Sequence, residues 1–98
     1  MKFENTYDFH LIKNEAEGLV LHELERQLET WGEEVCLCNE CVVDMAAIAL
    51  NAVKPLYRFS LLGSLYAAQA MNEQAYADSV QEAVSQAIVK VRANPAHD

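Results

Sequence analysis

Residues 39–55 read NECVVDMAAIALNAVKP, and the fold class turns on this run. Val42, Met45, Ala46, Ile48, Ala49 and Val53 recur at helical spacing from a start near Asn39. Pro55 cannot continue a helix and restrains Lys54 before it, so the helix stops just short of that pair. Its sides are apolar almost all the way round, which predicts a central, buried helix.

Upstream, from about Asn14 to Trp31, Ala16, Leu19, Val20, Leu24, Leu28 and Trp31 repeat at spacings of three and four, with Glu17, Glu23, Arg26 and Gln27 mostly elsewhere. That is an amphipathic helix, ended near Gly32. Downstream, Leu56 to Leu62 reads as an irregular or extended connection bearing Tyr57 and Phe59, followed by a short helical stretch from Ser64 to Ala70. A last helix, from about Asn72 to Ala93, carries Tyr76, Val80, Ala83, Val84, Ala87, Ile88 and Val91 and stops at Asn94-Pro95. The strand evidence is too thin to assign a sheet, and no repeat, low-complexity tract or linker divides the chain. The expectation is an all-α, compact single domain of four or five helices over residues 1–98. With 98 residues, 52% of them apolar, the core is small, and burial by a partner subunit predicts a homodimer.

Seven basic residues against fifteen acidic give a net charge of −8. A nucleic-acid polymer or an anionic membrane would be repelled at long range, so any anionic ligand must meet a local basic pocket. The start, Met1 to Thr6, lacks the charged and apolar regions of a secretory signal, and no apolar run reaches membrane-spanning length, so a cytoplasmic protein is expected.

The three cysteines, Cys36, Cys38 and Cys41, fall within six residues at the head of the central helix. Such spacing lets thiolates converge on one soft metal ion, and a helix N-terminus favours the thiolate. Zinc fits best, as a structural staple rather than a water-activating centre. A closed tetrahedral shell needs a fourth ligand, for which His10, His22, His97, a carboxylate such as Asp44, water or a second chain are all open. Three reduced cysteines packed as small hydrophobes, or redox thiols, are the competing readings.

Residues 36–57, CLCNECVVDMAAIALNAVKPLY, resemble the late competence development protein ComFB family. The likeness extends to Lys13-Asn14-Glu15-Ala16-Glu17 before Leu19-Val20, and to the close at Asn94-Pro95 and His97. The resemblance implies a small helical dimer, of a kind that in some members carries cysteine-bound zinc. Because cyanobacterial relatives act as receptors for cyclic dinucleotide second messengers, it also implies a similar role. A departure lies at Ala96, where the resemblance leads one to expect a basic residue.

A cyclic dinucleotide offers two phosphates, two purine faces and approximate two-fold symmetry, which a symmetric dimer would match. Lys13, Lys54 and Arg58 can supply positive charge; Asn14, Asn51 and a carboxylate such as Glu17 or Asp44 can read base edges; Tyr57 can stack. Each has a plainer role. Lys54 and Arg58 can be solvated flanks, Asn51 a helix C-terminal cap, Glu17 a solvent-facing acid, Tyr57 a core aromatic, and Asp44 a group paired to an amide, a cation or the metal.

No Gly-rich phosphate loop, His-Glu-x-x-His pair or Gly-x-Ser-x-Gly turn occurs, and Glu33-Glu34 reads as a solvated turn, so an enzyme is not expected. The expected ligand set is Lys13, Asn14, Glu17, Asp44, Asn51, Tyr57 and Arg58, with Cys36, Cys38 and Cys41 for metal. The expected function is non-enzymatic signalling: a cyclic dinucleotide receptor, cyclic di-GMP before cyclic di-AMP, acting on an effector protein. The alternative is a constitutive zinc-stapled dimeric adaptor working through protein contacts, in competence or surface behaviour.

Overall fold

The computed structural model describes residues 2–97, apart from the side chain of Leu61. After two single-turn 3-10 segments, Phe3–Asn5 and Phe9–Leu11, the order is β1 (Lys13–Asn14), α1 (Ala16–Thr30), α2 (Asn39–Ala52), β2 (Tyr57–Arg58), α3 (Leu61–Met71) and α4 (Gln74–Ala93). The all-α expectation of four or five helices holds with four, and with one addition. β1 and β2 form a two-residue antiparallel ladder, Lys13 opposite Arg58 and Asn14 opposite Tyr57.

The core is a three-helix layer in which α2 packs chiefly on α4, and α1 on both. Two contacts fix α2 and α4 as antiparallel. The Tyr76 hydroxyl at the start of α4 donates to the Lys54 carbonyl just past the end of α2 (2.8 Å), and the tail beyond α4 returns to Cys36 just ahead of α2. Ala16, Val20 and Leu24 of α1, Cys41, Met45 and Ala49 of α2, and seven α4 residues from Tyr76 to Val91 are buried. On α2 these form a stripe at every fourth position, as a helix lying against one layer requires.

Two expectations are corrected here. α2 is not enclosed: its opposite side stays open, with Val43 58% exposed, because α1 and α4, which also pack on each other, meet only one side of it. Glu23 and Gln27, expected away from the core stripe, are buried. Gln27 donates to the Gln81 carbonyl of α4 (3.0 Å) and to Glu23 (2.8 Å), and accepts from the Ser85 hydroxyl (2.8 Å). Arg26 closes the network on the outside by donating to Glu23 (2.9 Å). Buried polar groups persist when so satisfied.

α3 begins earlier than its apolar pattern predicts because Ser60 caps it, its hydroxyl accepting from the Gly63 amide (3.2 Å). A Cβ at Gly63 would lie 3.3 Å from Arg58 Cα, so glycine is what lets α3 press against β2. The helix packs on β2 and one end of α4, and Ala67 is its one buried residue whose side chain is described. The body measures 46 × 38 × 17 Å with a radius of gyration of 15.6 Å, against about 12.6 Å for a rounded domain of this length.

Candidate metal centre and ligand cleft

α1 ends at Trp31 in extended conformation, and the following loop is tied to α4. Arg92 donates to the Glu34 carbonyl (2.9 Å) and pairs with Glu33 (3.0 Å). That delivers Cys36 beside the α2 start, where Cys38 is the N-cap and its sulfur accepts from the Cys41 amide (3.5 Å). From the other side, Pro95 ends α4 and the tail carries His97 Nε2 to 3.2 Å from Cys36 Sγ. The donor atoms of Cys36, Cys38, Cys41 and His97 all lie within 4.8 Å of one another.

The fit to zinc is good. Zn–S and Zn–N bonds of about 2.3 and 2.0 Å give tetrahedral edges of roughly 3.3–3.8 Å, so a small inward shift closes the shell. Three thiols and an imidazole complete it without an open position, which is the composition of a structural centre. Of the open choices for the fourth ligand, geometry favours His97; His10, His22 and Asp44 lie outside the cluster.

The cluster's electrostatics are divided. The Cys38 amide donating to its sulfur lowers the Cys36 thiol to about 7, with His97 and the other two thiols assisting. At Cys38 the Cys41 amide also acts downward, but burial and the neighbouring Cys36, Cys41 and Glu40 push the thiol up to about 11. One sulfur is thus readily anionic and another resists ionising without a cation, so loading metal must displace protons.

The expected ligand residues divide between the ladder and α2. Lys13, Asn14 and Glu17 line a cleft of about 320 Å3 together with His10, Glu15 and Gly18. Tyr57, 63% exposed, lines a second cleft of about 410 Å3 with Lys54, Tyr66, Gln69 and Glu73. The ladder supplies residues to both. Arg58 is half-buried and bonds Glu15 through its Nε. Asn14 already has structural work, since its carboxamide oxygen accepts from the Ala16 amide (3.1 Å) and the Leu56 amide (2.7 Å), fastening α1 to the strand after α2.

Asp44 and Asn51 sit apart on α2 and line neither cleft. Among the described residues the Asp44 side chain makes no hydrogen bond or ion pair, and Asn51 is exposed within the last turn rather than capping it, the cap position being Val53. Glu15, Tyr66, Gln69 and Glu73 were not singled out from sequence. Glu15 is an acid in an acidic stretch, Tyr66 and Gln69 sit on a helix whose start the pattern missed, and Glu73 is the N-cap of α4.

Fold and site define a class: a small helical domain with a two-residue β clasp and a Cys3His cluster where loop, helix and tail meet. Residues 13–95 match the family model described as late competence development protein ComFB, and the chain belongs to that family. A solved structure, that of the late competence protein ComFB from Bacillus subtilis, shares the fold with a TM-score of 0.68 at 21% identity, over 86% of this chain and 91% of that one. No curated protein matches the chain. Among the described residues, no helix is long and apolar enough to cross a membrane.

Proposed function

We propose that this chain is a non-enzymatic cytoplasmic receptor for a cyclic dinucleotide, taking cyclic di-GMP in preference to cyclic di-AMP, with zinc held by Cys36, Cys38, Cys41 and His97. The observation that carries the reading is the ladder register, Lys13 opposite Arg58 and Asn14 opposite Tyr57. Successive strand residues alternate faces, so the two cations share one face of the ladder and Asn14 and Tyr57 the other, at the border of two clefts. Phosphate calls for the cations, and a purine face calls for the ring. The net charge of −8 opposes an anion at distance, but salt screens it within about 8 Å while adjacent cations act directly. Arg58 reaches a phosphate by exchanging or sharing Glu15, and Lys13 is exposed and free of that constraint. Glu17 lines the same cleft as Lys13 and can accept from a purine edge; Asp44 and Asn51 require the ligand to extend onto α2.

Isothermal titration of the zinc-loaded protein against cyclic di-GMP, cyclic di-AMP and the linear dinucleotides tests the reading. Saturable binding of a cyclic form is expected, weakened about tenfold or more by Tyr57→Ala, as loss of one base stack predicts. Absence of binding to folded, metal-replete protein overturns it in favour of the constitutive adaptor.

The homodimer belongs to the same proposal. α3 reads LLGSLYAAQAM, without a charged residue, and Leu62, Leu65 and Tyr66 stand 64, 59 and 68% exposed along it. On a chain with so much negative charge, this is a helix through which two copies can meet without repulsion. Leu65→Glu is therefore expected to convert a dimer to a monomer in sedimentation velocity while leaving the helical signal intact. A wild-type monomer at micromolar concentration, or an unaffected dimer, would remove α3 from this role.

A further inference from the structure

The open side of α1 and α2 holds a groove of about 520 Å3, lined by Leu21, Leu24, Leu28, Leu37 and Val42, with Glu25 and Glu29 beside them. We infer that this groove docks an amphipathic helix of a partner protein, one that presents large apolar residues to the leucines and lysine or arginine to Glu25 and Glu29. The inference stands apart from the dinucleotide reading, since neither cleft at the ladder contributes a residue to the groove.

Three observations select this occupant. Leu21, Leu24 and Leu28 repeat along α1 at i, i+3 and i+7, which offers a facing helix a continuous apolar track, and Leu21 and Leu37 are more than half exposed. Helices laid in such grooves are held by anchors of the same spacing. Glu25 and Glu29 lie one turn apart along the track, and no basic side chain lines the groove. A second copy docked here would set acids against acids, whereas α3 offers copies a face without charge; the groove instead complements a basic rim.

The third observation concerns Leu37. It lies between Cys36 and Cys38, in a loop also tied to α4 by Arg92. One wall of the groove is therefore held by the same anchors as the metal cluster, and the surface meets its partner pre-formed rather than as a mobile loop.

The probe is a fluorescent 18-residue peptide with leucines at i, i+3, i+7 and flanking lysines, titrated by anisotropy into the zinc-loaded protein at physiological salt. A glutamate-flanked version and a scrambled one serve as controls. The lysine peptide is expected to bind saturably, both controls at least about tenfold more weakly, and Leu21→Asp or Leu37→Asp to cost about tenfold. Glu25→Lys/Glu29→Lys should weaken the lysine peptide and strengthen the glutamate peptide. Glu4→Lys/Glu82→Lys, the same change of charge placed elsewhere, should leave both within about twofold. Thermal melts check that each variant is folded, and Leu21 and Leu37, being exposed, can be replaced independently. No saturable binding, or equal loss in the Glu4/Glu82 control, overturns the inference. Dissociation of a dimer by Leu21→Asp also overturns it, by giving the groove to a second copy.

Discussion

Stripping zinc from the Cys36–Cys38–Cys41–His97 cluster is expected to lower the melting temperature by about 15 °C or more. Zinc held there would link Cys36 to His97, 61 residues apart, so its loss would free a loop containing α2, α3 and α4. The magnitude follows from the closure entropy of a cross-link of that span, converted through the unfolding entropy of a domain of this size. Binding that exists only in the folded chain adds to folding stability in the same way. Cys41→Ser should reproduce the loss and abolish the response to chelator, because Cys41 is buried and supplies a ligand that serine replaces poorly. His97→Ala should lose most of the same stability while still retaining metal on three thiolates, because it removes the 61-residue link and leaves only the local one at the head of α2. Melts with and without chelator, alongside zinc content by elemental analysis, check this. Identical melts of loaded and stripped protein would show that the cluster staples nothing.

Gln27→Leu is the second large effect, a loss of about 2–4 kcal/mol despite the gain of an apolar side chain. The carboxamide serves α1 and α4 together, and without it the half-buried Ser85 hydroxyl loses its acceptor and the buried Glu23 carboxylate one of its donors, while the Gln81 carbonyl keeps only its place in the α4 ladder. A double-mutant cycle with Ser85→Ala isolates the cross-helix bond, and a coupling near zero would mean that the network merely fills space. The network also sets an acid limit. The Arg26 hydrogen bond, helped by Gln27 and opposed by burial, holds the Glu23 carboxyl below its ordinary 4.5. A depressed carboxyl stabilises the fold fully above the unfolded value, and that share is lost as pH falls through the lower folded one. Wild type should therefore lose stability below about pH 4.5 more steeply than Glu23→Gln.

Much of this was legible before the coordinates. α1, α2 and α4 follow from their three- and four-residue spacing, and the cysteine trio from its proximity alone. What escaped depended on contacts between distant parts of the chain. A two-residue ladder carries no alternation to detect, and Lys13 finds Arg58 only once α1 and α2 have turned the chain back on itself. His97 could not be preferred over His10 or His22 until the antiparallel course of α4 along α2 brought the tail to the cysteines. Gln27 looked like a surface residue because its partners Gln81 and Ser85 lie on α4, and Glu23 because it is drawn into the core through Gln27. α2 looked enclosed because apolarity on all sides signals burial, yet says nothing of whether the same chain provides it.

The 17 Å thickness of the body carries a further consequence. A helix with its side chains is about 10–12 Å across, so half of that depth is less than one helix, and every backbone amide lies within a single layer of side chains from water. Its exchange with deuterium is then timed by how often its helix comes apart rather than by its depth. α2 and α4, clasped along their lengths, open together, while α3, holding to β2 and one end of α4, opens alone and earlier. The isolated chain therefore keeps two clocks, and whatever covers α3 sets the faster one to the slower.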